Sequence, residues 1–105
     1  MALKLKWTEF AVQQLEEIFE NYHKNASLET ARKKVKRIVD ATLILTEQPE
    51  IGQIEELLKN RHQSFRYLLA KNYKVIYWIN RKNETVEIID VFDTRQNPIK
   101  LRRVN

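Results

Sequence analysis

Apolar and basic side chains alternate along Ala2-Leu3-Lys4-Leu5-Lys6-Trp7, a period of two that predicts a short strand over 2–7. The period then lengthens. Ala11, Leu15, Ile18, Phe19 and Tyr22 recur at helical spacing opposite Gln13, Glu16, Glu17 and Glu20, which predicts a helix over about residues 9–24. Thr8 stands where an N-cap hydroxyl belongs, and Glu9 follows in the first turn, where the helix dipole favours an anion. Ser27 is a second N-cap. From there Leu28, Ala31, Val35, Ile38, Thr42 and Leu45 form one stripe at steps of three and four, predicting a helix from 28 to about Glu47 that Pro49 ends. Two amphipathic helices with so short a break between them make an αα-hairpin packed through their stripes.

Residues 49–64 are the longest irregular stretch and hold the only glycine, Gly52, where a positive φ is expected. Within it Glu55-Glu56-Leu57-Leu58 has the composition of a single helical turn. From Phe65 the period returns to two and the residue types turn aromatic and β-branched, predicting strands over 65–70, 73–79 and 85–92. Lys71-Asn72 and Lys82-Asn83 sit at the joints, with asparagine suited to a left-handed conformation. Two-residue turns there place Arg66, Tyr77 and Ile88 on one sheet face and Phe65, Tyr67, Lys74, Trp78 and Glu87 on the other. The helices cover one face; the other is expected to be an exposed, aromatic-rich surface of the kind that marks a binding site. In this register Arg66 lies near Asp90, so a buried ion pair between them is expected, while Tyr73 and Tyr77 belong to the core with their hydroxyls bonded at its edge. The fold class is α+β: an N-terminal strand, an αα-hairpin, then a three-stranded antiparallel meander, in a single domain over 1–105.

Charge changes the picture along the chain. Residues 1–58 carry eight Lys/Arg against ten Asp/Glu, and residues 59–105 eleven against four, so the second half bears the positive charge needed to meet a polyanion, nucleic acid or acidic protein. On the back of the second helix Arg32-Lys33-Lys34-Val35-Lys36-Arg37 packs five cations into six residues, as a solvated face or a binding patch. Cysteine is absent, which excludes disulfides, thiolate metal ligands and a cysteine nucleophile. His23 and His62 are far apart in sequence and read as surface residues, so no metal site and no small-molecule cofactor is expected. The N-terminus lacks the continuous apolar stretch of a signal peptide or a membrane span, which makes the cytoplasm the expected location.

One constellation in the basic half carries a family resemblance. Arg66-Tyr67-Leu68, then Tyr73-Lys74-Val75-Ile76-Tyr77, then the apolar strand from Val86 that closes on Asp93-Thr94-Arg95-Gln96-Asn97-Pro98, resembles the C-terminal half of the RelE/ParE toxins of bacterial type II toxin–antitoxin pairs. The predicted element order matches as well, so the resemblance covers nearly the whole chain. It implies a growth-inhibiting toxin, neutralised by a cognate antitoxin with an acidic segment. Two targets follow from the two branches of the superfamily: DNA gyrase for ParE-like members, and messenger RNA on the ribosome for RelE-like endoribonucleases, the mRNA interferases.

For a nuclease, Lys74 matches the position of a catalytic arginine on the middle strand, and Arg95 that of a late arginine. Attack by a ribose 2′-hydroxyl needs a base beside it and converging cations on the phosphate. Phe65 and Tyr67 stand where RelE-like enzymes carry a lysine pair, and no tyrosine or histidine follows Arg95. The resemblance is therefore closer to ParE-like members, and catalysis by Lys74 and Arg95 belongs only to the alternative, nuclease reading. The candidate binding residues are Arg66, Tyr67, Lys74, Trp78, Arg95, Arg102 and Arg103.

Overall fold

A computed structural model describes residues 2–58 and 63–95, apart from the side chain of Leu57. Strand β1 (Lys4–Trp7) leads into helix α1 (Glu9–Asn25) and helix α2 (Leu28–Thr42). Strand β2 (Gln53–Ile54) follows, then β3 (Arg66–Ala70), β4 (Tyr73–Asn80) and β5 (Thr85–Asp93). Both predicted caps form: the Thr8 side chain accepts from the Ala11 N–H at 3.2 Å and Ser27 Oγ from the Thr30 N–H at 3.0 Å. The second helix is shorter than its stripe suggests. It tightens into a 3-10 turn over Leu43–Thr46, which still carries Leu45 into the core with no exposure at all.

The meander is part of a larger, mixed sheet of five strands in the order β1-β5-β4-β3-β2. Strand β1 joins β5 in parallel, and β2 pairs with β3 at the opposite edge through Gln53↔Tyr67 and Ile54↔Arg66. The two helices cover one face. Between them and the sheet lies the main core, in which Ala11, Ile38 and Leu45 meet Val75, Tyr77, Val86, Ile88 and Val91. Each such aliphatic side chain contributes about 1.5–3 kcal/mol on burial, so this layer dominates the stability.

Register follows the expected pattern through Arg66↔Tyr77↔Ile88 and then departs from it. Tyr77 faces Ile88, but its neighbour Ile76 faces Asp90, so Ile89 is an extra residue in β5. A bulge of one residue reverses the facing of everything beyond it. Asp90 therefore leaves the face that Arg66 shares with Tyr77, and the expected Arg66–Asp90 pair does not form. Arg66 donates instead to the carbonyls of Gly52 at 2.8 Å and Glu50 at 3.3 Å. Asp90, fully buried, accepts from its neighbour's Val91 N–H at 2.8 Å.

The turns also differ in detail. Lys71-Asn72 does join β3 to β4, but Lys71 (φ 58°) takes the left-handed conformation; between β4 and β5 the loop runs over 81–84, with Glu84 (φ 54°) left-handed. The longer loop is centred on Lys82-Asn83, so the register near it is unchanged. Gly52 is extended (φ −72°, ψ 157°), not left-handed. Its requirement for glycine is steric: a Cβ there would meet the Tyr77 hydroxyl and lie 2.7 Å from the Tyr67 carbonyl oxygen.

Candidate functional site

The face of the sheet away from the helices is not the open aromatic surface that alternation suggests. Phe65 (3% exposed), Ile76 (0%) and Phe92 (6%) form a second small core with Leu58, and Tyr67, Trp78 and Ile89 pack at its margin. The cover comes from the segment after β2. Its 3-10 turn, Glu56–Leu58, delivers Leu58, and the Glu55 N–H holds the segment against the sheet by donating to the Phe65 carbonyl at 2.8 Å.

Within this face Lys74 lies between two partners. Its Nζ is 2.5 Å from Glu55 Oε1 and 4.1 Å from the centroid of the Tyr67 ring, with the lysine side chain 19% exposed and the glutamate 4%. The contact with Oε1 is a charge pair without the angles of a hydrogen bond. Sequence reading missed Glu55, because nothing local distinguishes a carboxylate that meets its lysine 19 positions later.

Arg95 sits at the far end of β5 in the turn Asp93-Thr94-Arg95. Its backbone N–H and Nε both donate to Asp93 Oδ1 at 2.9 Å, and its terminal nitrogen reaches Oδ2 at 2.5 Å. Thr94 N–H fixes the turn by donating to the Asn72 carbonyl at 2.7 Å. The guanidinium holds the Asp93 carboxyl well below the usual carboxylate range and is itself raised by that carboxylate. A carboxylate depressed in this way stabilises the fold above its unfolded pKa and loses that contribution as pH falls through the folded value. Arg95→Gln is accordingly expected to melt below the wild type at pH 7, with the gap closing as the pH drops below about 4. Thermal melts across pH 2–8 check this, and a gap that widens in acid would contradict it.

Arg95 is within electrostatic reach of Tyr73 and Tyr22, on the helix side of the sheet, whereas Lys74 lies on the opposite face over Tyr67. The two residues matched to a nuclease centre therefore do not converge. Tyr73, within that reach, offers no base either. Burial, and the hydrogen bond its hydroxyl donates to Tyr22 at 3.2 Å, push the Tyr73 phenol well above its ordinary value, so it keeps its proton at neutral pH.

The remaining candidates divide by position. Arg66 and Trp78 line an open pocket at the end of β3 and β4, apart from both Lys74 and Arg95. Arg102 and Arg103 lie outside the described residues. His23 packs against the Phe19 ring, with centroids 5.8 Å apart, and His62 is outside the described residues. Among the described residues no three His, Cys, Asp or Glu side chains come together to hold a metal, and no helix is long and apolar enough to cross a membrane.

The family model for the ParE toxin of the type II toxin–antitoxin system parDE matches residues 5–98. The chain belongs to the ParE toxin family. Solved structures agree on the fold. A chromosomal ParDE toxin–antitoxin system from P. aeruginosa aligns at 20% identity over 88% of this chain and 96% of that one, with a TM-score of 0.71. A RelBE toxin–antitoxin complex from Mycobacterium tuberculosis aligns at 17% identity over 89% and 99%, with a TM-score of 0.64. An archaeal RelE–RelB complex from Pyrococcus horikoshii aligns at 17% identity over 92% and 100%, with a TM-score of 0.62. No curated protein sequence is significantly similar to the chain. This ParE-family chain thus presents the two cations matched to a nuclease centre in a neutralised form: Lys74 on Glu55, Arg95 on Asp93.

Proposed function

We propose that this chain is a growth-inhibiting toxin that acts by binding DNA gyrase and is neutralised by a cognate antitoxin. The observation that carries the reading is the separate pairing of Lys74 and Arg95 with carboxylates on two sides of the sheet. Cleavage of RNA through its 2′-hydroxyl requires several positive donors aimed at one phosphate, with a group ready to accept a proton. Here each matched cation is matched by an anion, and Tyr73 is held protonated. A protein that inhibits by contact needs neither convergence nor a base. It needs a rigid surface, and two cores on either side of one sheet supply it.

The cognate antitoxin fits the same surface chemistry: acidic groups meet the basic half of the chain, including Arg95 and the Arg102-Arg103 pair. Inducible expression followed by two assays on the same cells tests the reading. Loss of negative supercoiling in a reporter plasmid, with messenger RNA intact, is the expected result. Codon-phased cleavage of ribosome-bound messenger RNA, abolished in Arg95→Ala, would overturn it in favour of an endoribonuclease.

A further inference from the structure

Three of the cations on or beside the sheet have a carboxylate partner: Lys74 with Glu55, Arg95 with Asp93, and Arg81 with Glu50. Arg66 does not. Both of its hydrogen bonds run from one terminal nitrogen to backbone carbonyls, those of Gly52 and Glu50. Carbonyls orient a guanidinium without neutralising it. Arg66 is also half-buried, so part of its hydration has been removed with no counter-charge returned. Its other terminal nitrogen and Nε retain donors in the fork geometry that matches a carboxylate.

What surrounds that guanidinium is an open pocket of about 370 Å³, bordered by Glu50, Ser64, Trp78, Ile79 and Arg81. Trp78 and Ile79, both partly buried, border it from opposite faces of β4, Ile79 beside the main core and Trp78 beside the second. Arg81, also on its border, is held by Glu50 at 2.7 Å, but the two side chains are 64% and 63% exposed. An ion pair so open to water is screened and weak, so Glu50 is an easily replaced counter-ion.

We propose that this pocket is the anchor by which the chain grips its protein target. An acidic side chain of the target forks onto Arg66 and draws Arg81 away from Glu50, while an adjoining apolar side chain packs on Trp78 and Ile79. Tryptophan and arginine are the residue types that carry most of the energy at protein interfaces, and here they share one concave, partly desolvated site. The assignment rests on the reading of the chain as a toxin that works through a protein target. It goes beyond it by naming the contact and its chemistry.

The test compares the wild type with Arg81→Glu, Arg66→Gln and Trp78→Ala. Arg37→Glu, on the exposed back of α2, controls for a change of net charge. Each is measured for growth arrest on induction, for inhibition of gyrase supercoiling by the purified chain, and for thermal melting. Arg81→Glu alters only an exposed side chain and its exposed pair with Glu50, so it stays folded and informative if either other variant unfolds. The expected result is that Arg81→Glu needs about tenfold more protein for half-inhibition and no longer arrests growth, while Arg37→Glu matches the wild type. Folded Arg81→Glu and Arg66→Gln that arrest growth as the wild type does would overturn the pocket assignment. A wild type that arrests growth without inhibiting gyrase removes the gyrase reading alone, and the growth arm still decides the pocket. A wild type that arrests nothing overturns both.

Discussion

Replacing Lys74 by alanine is expected to lower the stability of the fold by about 3 kcal/mol, whatever it does to toxicity. The reason is Glu55. Its carboxylate is 4% exposed and lies 2.5 Å from the lysine Nζ, which is itself held over the Tyr67 ring. Deleting the lysine takes a counter-charge from a carboxylate in a setting that water scarcely reaches, and breaking a buried pair from one side costs about 3–5 kcal/mol. For a domain whose total stability is of order 5–15 kcal/mol, that is a large share. Lys74→Arg keeps the charge and should retain most of the stability. The double variant Lys74→Met with Glu55→Leu removes both charges and should recover much of what the single change loses. Urea titrations followed by circular dichroism give the three midpoints, and an unshifted midpoint for Lys74→Ala would refute the argument. The consequence for function is direct: loss of toxicity in Lys74→Ala is evidence about folding before it is evidence about catalysis.

Gly52→Ala should be comparably damaging, again by about 3 kcal/mol, although the backbone there is one that alanine readily adopts. The added methyl would collide with the Tyr77 hydroxyl and sit 2.7 Å from the Tyr67 carbonyl oxygen and 2.8 Å from Tyr77 Cε1. Neither neighbour can yield. The carbonyl belongs to β3, and Tyr77 is fully buried in the main core. The same hydroxyl accepts from the Gly52 N–H at 2.9 Å and donates to the Pro49 carbonyl at 2.6 Å, tying the 49–52 turn to the centre of the sheet. Forcing it aside takes that partner from the buried Gly52 N–H and the partly buried Pro49 carbonyl. Tyr77→Phe opens space at that spot, so the Gly52→Ala and Tyr77→Phe effects should sum to less than their separate costs. Denaturant midpoints of the two singles and the double measure that coupling. Strict additivity would mean that the clash is elsewhere.

Both results depend on contacts that no local pattern announces. Helix starts were legible because Thr8 and Ser27 satisfy backbone N–H groups three residues away, and the change of period after residue 64 marked the strands for the same short-range reason. The register at Arg66, Tyr77 and Ile88 was also legible, since a hairpin turn is symmetric about its centre and a longer loop centred on the same pair preserves it. Asp90 was misplaced because the bulge at Ile89 carries no glycine or other signature, and one inserted residue turns the following side chains to the other face. For the candidate site, sequence named Arg66, Tyr67, Lys74, Trp78 and Arg95 as residues of one basic, aromatic half. Folding divided them. Lys74 went to Glu55, Arg95 to Asp93 near the helices, and Arg66 to the turn held by Gly52 and Tyr77. Short-range chemistry, repeated every two or 3.6 residues, thus determined which elements form and which face each helix buries. For Lys74 and Arg81 the partner was decided only by closure of the sheet and the return of the 49–58 segment across it, because a charge pair between distant positions leaves no periodic trace in the chain, whereas Arg95 meets Asp93 only two residues away.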